Sequence, residues 1–72
     1  MRLIDEQVGR RLRIARHEME LSLFELSQKC KIAVGTIEKI ESGYKRATPS
    51  QILDLVAALQ IPLTKVFTSD ET

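Results

Sequence analysis

Cysteine, glycine and proline are scarce in this 72-residue sequence, and each shortage removes a class of protein. A single cysteine, Cys30, excludes an internal disulfide and any cysteine-based metal cage. Three glycines and two prolines are too few for a turn-rich β-sandwich. No apolar run approaches the roughly 18–20 residues that a membrane-crossing helix needs. The opening residues, MRLIDEQVGRR, hold no apolar stretch of the signal-peptide kind, so the expected location is the cytoplasm. Neither sign of charge dominates: 11 Lys and Arg stand against 10 Asp and Glu, a net charge of +1, so there is no oversized basic or acidic tail. What is present is 43% hydrophobic residues, enough for one core and one small domain over 1–72.

The charge is unevenly placed. Residues 1–46 carry 10 basic and 7 acidic side chains, whereas 47–72 carry 1 and 3. A polyanion would therefore meet the first two-thirds of the chain, unless the excess is ordinary surface charge.

Periodicity and caps divide the chain into five helical stretches with no convincing strand. The first is expected from about Asp5 to Met19, with Asp5 and Glu6 at the positive end of the helix dipole and Val8, Leu12 and Ala15 forming an apolar stripe. The second follows a capping box, Ser22-Leu23-Phe24-Glu25, and runs over Leu23 to Lys29. The third spans about Val34 to Ser42, turns Ile37 and Ile40 inward and stops at Gly43. The fourth begins at Thr48-Pro49-Ser50-Gln51, with a threonine cap and proline in the first turn, and aligns Ile52, Leu55, Val56 and Leu59 on one face. A final turn covers Leu63 to Phe67, with Leu63, Val66 and Phe67 inward, and the polar tail 68–72 is expected to fray. Each stretch is too short to persist alone in water, so mutual packing must hold it. The core is expected to absorb most of the large apolar residues and leave no roomy pocket.

Two short helices separated by Cys30 to Ala33 suggest a helix-turn-helix, a weak signal by itself. The residue string is stronger. Leu21-Ser22-x-x-Glu25-Leu26-Ser27 leads into Ile32-Ala33-Val34-Gly35-Thr36-Ile37-Glu38-Lys39-Ile40-Glu41-Ser42-Gly43. Val8-Gly9-x-Arg11-Leu12-Arg13-x-x-Arg16 precedes it, and Ala57-Ala58-Leu59 and Ile61-Pro62-Leu63-Thr64-x-Val66-Phe67 follow it. Over residues 8–67 the chain resembles the lambda-repressor-like (Xre/Cro) helix-turn-helix family of bacterial and phage transcription factors.

The resemblance implies an all-α, compact five-helix DNA-binding domain whose helix-turn-helix lies at about 23–42, with its third helix in the major groove of double-stranded DNA. It implies that Val34, Gly35 and Lys39 face base edges, and that Ser22, Thr36, Lys45 and Arg46 face phosphates. It implies an ion pair between Arg16 and Glu41, and a homodimer on a two-fold operator with half-sites about 34 Å apart. The chemistry suits these roles: Lys39 can donate to guanine, and Val34 can cover a thymine methyl or pack in the first turn. Tyr44 can bond a phosphate or cap the bundle. Leu53 and Ala57 either stand exposed singly or form a dimer seam with Leu63 or Phe67.

Departures from the family pattern bear on function. Leu23 and Phe24 stand where the family favours polar residues, and mark either a protein contact or an inward-folded pair. Ala33 removes a serine cap, Val34 a polar base reader, and Lys31 and Glu20 stand where glycine is usual. Cys30 reads as a small buried thiol and His17 as a solvent-facing residue. No paired carboxylates, glycine-rich phosphate loop or metal-ligand spacing is present, so no enzyme activity, cofactor or metal is expected. The function expected is that of a DNA-binding regulator, a repressor or small controller. The alternative is a protein-interaction module or antitoxin using the same fold.

Overall fold

Caps and stop residues set the ends of five helices in the computed structural model, which describes residues 2–67. They are α1 (Leu3–Glu18), α2 (Leu23–Cys30), α3 (Val34–Glu41), α4 (Pro49–Leu59) and α5 (Leu63–Phe67), with no strand among the described residues. The expected tail 68–72 lies outside those residues. The boundaries differ a little from expectation. α1 starts at Leu3 rather than Asp5, with Asp5 and Glu6 inside its first turn, and ends at Glu18 rather than Met19. α2 continues to Cys30, and α3 stops at Glu41 with Ser42 as its C-cap.

Both capping boxes are formed. The Ser22 hydroxyl accepts the Glu25 amide at 3.0 Å, while the Glu25 carboxylate accepts the Ser22 amide at 2.8 Å. Thr48 and Gln51 exchange the equivalent bonds at 3.1 and 3.0 Å. Each box satisfies two amides that a helix start otherwise leaves unpaired. α3 has no such device: Ala33 offers no side-chain cap.

Four stops use the left-handed region: Glu20 (φ 58°), Lys31 (φ 61°), Gln60 (φ 58°) and Gly43 (φ 84°). Only Gly43 enters it without a Cβ penalty. Lys31→Gly is therefore expected to stabilise the fold by about 0.5–1 kcal/mol, the left-handed penalty less the greater entropy of glycine in the unfolded chain. A melting temperature raised by roughly 2–8 °C is the expected reading, and a fall would contradict it.

α1 crosses α3 and also meets α4 and α5, while α2 is held between α3 and α4. Leu12, Leu26, Ile37, Ile40, Leu55, Leu59 and Val66 are almost wholly excluded from solvent. Gly9 is buried where α1 meets the end of α3. The core absorbs most of the large apolar residues, but not all of them, and it leaves a pocket where none was expected. Val66 is inward as expected, but Leu63 and Phe67 are not: they are exposed with Leu3, Ile4, Ile14, Phe24 and Leu53, because a body of 33 × 23 × 20 Å has too little interior for them. An open groove of about 630 Å³ runs between the first turn of α1, the loop after α3, α4 and α5. Cys30 is buried, and burial pushes its thiol pKa up, which keeps it protonated and unreactive.

Candidate nucleic-acid interface

The orientation of α3 is set from its buried side. Ile37 and Ile40 anchor it in the core, and Glu41 turns back toward α1. There the Arg16 Nε–H donates to Glu41 Oε2 at 2.7 Å and Nη2 donates to Oε1 at 3.0 Å, a two-pronged pair. Arg16 Nη1 donates to the Leu21 carbonyl at 2.9 Å, so the same guanidinium also ties down the entry to α2. Its Nη2 lies 3.3 Å from His17 Nε2, on an otherwise exposed His17. Arg13 adds a second cation, its Nε 3.6 Å from Glu41 Oε1. The hydrogen bonds to Glu41 raise the Arg16 pKa further above its usual value, against the opposing effect of burial. Arg16 therefore stays charged throughout the working pH range.

With that side fixed, the opposite side of α3 is open. Gly35, Glu38 and Lys39 are exposed, and Val34 and Thr36 are half-buried at its start. A Cβ placed on Gly35 would meet nothing within 4 Å, so the backbone there stands free for close approach. Lys39 and Glu38 balance one another, which leaves this face neutral in itself. The cations come from the adjoining loop. Gly43, Tyr44 and Lys45 fold back through amides donated to the carbonyls of Ile40 and Lys39 at 3.1, 2.9 and 3.3 Å, and Tyr44, Lys45 and Arg46 are exposed beyond them. Ser22 is exposed at the start of α2. Its oxygen accepts the Glu25 amide, and its hydroxyl proton remains available to an acceptor such as phosphate.

Two sequence expectations change here. Leu23 and Phe24 are not an exposed pair: Leu23 packs against the core, because it lies on the inward side of α2, and only Phe24 is open, at 63% exposure. Arg46 is not a free cation. Its Nε–H donates to Asp5 Oδ1 on α1 at 3.2 Å. Leu53, Leu63 and Phe67 gather on the wall of the groove, whereas Ala57 is exposed outside it. The groove has no local signature in the sequence. Ile4, ahead of the helix start expected at Asp5, forms one side of the groove. Among the described residues no cluster of His, Cys, Asp and Glu is placed to hold a metal. No helix of the described residues is long and apolar enough to cross a membrane.

This arrangement has solved counterparts. The chain is similar to the restriction-modification controller protein C.AhdI from Aeromonas hydrophila, with 27% identity and a TM-score of 0.84 over 88% of this chain and 96% of that one. It is similar in fold to the clp gene regulator ClgR from Corynebacterium glutamicum, at 24% identity and a TM-score of 0.87, covering 92% of this chain and 70% of that one. It is likewise similar in fold to an HTH_3 family transcriptional regulator from Vibrio cholerae, at 20% identity and a TM-score of 0.87, covering 94% of this chain and 38% of that one. No curated protein sequence matches. A family model described as a helix-turn-helix domain matches residues 7–66, most of the chain, and the protein belongs to that family.

Proposed function

We propose that this protein is a DNA-binding transcriptional regulator, a repressor or small controller. It acts in the cytoplasm as a homodimer on a two-fold operator and excludes or contacts RNA polymerase there. The observation that carries the reading is the open side of α3, fixed from behind by the Arg16–Glu41 pair and continued by the cationic loop at Lys45 and Arg46. Val34, Gly35 and Lys39 take the base edges. Ser22, Thr36, Lys45 and Arg46 take the flanking phosphates. Because the open face of α3 is neutral, phosphate contacts and DNA shape supply most of the affinity, and Lys39 supplies the main base-specific donor. Leu53, Leu63 and Phe67, with Ala57 beside them, form the seam between two copies.

Binding to a selected operator and to random duplex at two salt concentrations tests this. Affinity is expected to fall steeply with salt, with a slope of about 0.9 per phosphate engaged. Lys39→Ala is expected to cost about 1–3 kcal/mol on the operator and much less on random duplex. An equal loss on both sequences would remove Lys39 from base reading. Exposed Phe24 on α2 favours one second reading, a protein-binding module. Negligible, salt-insensitive binding to any duplex would select it.

A further inference from the structure

We infer that Asp5 is a positioning residue for DNA binding: it holds Arg46 so that the guanidinium presents its two free amines to a phosphate. The inference rests on the reading of Arg46 as a phosphate contact and adds a residue from outside the helix-turn-helix. Asp5 lies in the first turn of α1, 41 positions away in sequence. Its side chain is only 15% exposed, while that of Arg46 is 54% exposed, so a mostly buried carboxylate grips a mostly exposed cation. The grip is one-sided. Nε donates to Asp5 Oδ1 at 3.2 Å, and neither terminal amine of Arg46 makes a hydrogen bond among the described residues. A guanidinium has five donors in a planar fork, and a phosphate takes two of them side by side. Held by its Nε edge, Arg46 keeps the opposite part of the fork for such a ligand.

The loop needs this support. Its first part is tied to α3 through the Lys39 carbonyl, and its end is fixed by the Thr48 cap. Arg46 stands between these anchors, and Asp5 is the only described side chain that bonds it. A long side chain loses considerable rotamer freedom when it is immobilised on binding, and a side chain already ordered loses less. Asp5 also repels phosphate. That repulsion acts through an exposed, solvated guanidinium and is screened within about 8 Å at physiological salt. Ordering therefore outweighs repulsion, and the two effects predict opposite signs for removal of the carboxylate.

The test is operator affinity at physiological salt for Asp5→Ala, Asp5→Asn, Arg46→Ala and the Asp5→Ala/Arg46→Ala double variant, each first shown by circular dichroism to be folded. Asp5→Ala is expected to weaken binding roughly three- to ten-fold although it makes the protein more positive. Asp5→Asn keeps an oxygen acceptor for Nε and is expected to bind at least as tightly as the parent. In the Arg46→Ala background, Asp5→Ala is expected to have no further effect. Tighter binding by Asp5→Ala, or the same loss with and without Arg46, overturns the positioning role and leaves the DNA-binding reading standing. An Arg46→Ala variant of unchanged affinity overturns the phosphate contact itself, and the positioning role with it.

Discussion

Gly9→Ala is expected to lower the melting temperature by about 12–24 °C, from a loss of about 3 kcal/mol or more. Helix propensity alone points the other way, since alanine in a helix interior is worth about 1 kcal/mol over glycine. Packing decides the sign. A Cβ on Gly9 would lie 2.7 Å from the Glu41 carbonyl oxygen and 2.9 Å from its carbon, and would overlap the Ile40 carbonyl oxygen. These are backbone atoms of α3, so no side chain can rotate away. The relief available is for α1 to move off α3, which would also stretch the Arg16–Glu41 pair and loosen Leu12 and Ile40 in the core. A domain of this size has roughly 4–11 kcal/mol of stability in total, so the loss is a large share of it. Thermal or urea unfolding reads the effect. A variant as stable as the parent, or more so, would mean that the helices are not this close.

Arg16→Ala is expected to cost about 3–5 kcal/mol, because it leaves the buried Glu41 carboxylate without its main partner. Both side chains are largely excluded from water, at 10% and 3% exposure, so solvent screens the pair little. Arg13 remains at 3.6 Å, but it is more than half exposed and meets the carboxylate from one side only. Arg16→Lys is expected to recover little, since an ammonium cannot reproduce the two-pronged contact and the bond to Leu21 together. An Arg16→Met/Glu41→Leu double variant is expected to recover most of the loss, as apolar pairs commonly do in place of buried ion pairs. The pH dependence has a definite sign. Interaction with Glu41 raises the folded pKa of Arg16, so its contribution is fully present below the ordinary arginine value and is lost only as the pH rises through the raised one. The difference between Arg16→Ala and its parent should therefore show no arginine titration between pH 6 and 10. A melting temperature within 2 °C of the parent would refute the structural role of the pair.

The helices, both capping boxes and the Gly43 stop were legible because each depends on residues within about four positions of one another. The family string added the place of α3 and the roles of Arg16 and Glu41. The groove was not legible. Leu63 and Phe67 read as inward-facing, Ile4 and Leu53 belong to no core stripe, and only the meeting of α1, α4 and α5 joins the four. Leu23 and Phe24 are neighbours in sequence and face opposite ways, which depends on how α2 is rotated against α3 and α4.

From the order of its residues alone, five helices around one core are determined for the described residues, because propensity, capping and apolar period act over a few residues, and the resemblance of the residue string marks the second and third as a helix-turn-helix. How near the helices lie and which outer side chains meet were decided by tertiary packing. It set Gly9 against the α3 backbone, bound Arg46 to Asp5 and left the groove open. Those contacts depend on the rotation and spacing of helix axes, and no local pattern of residues encodes either.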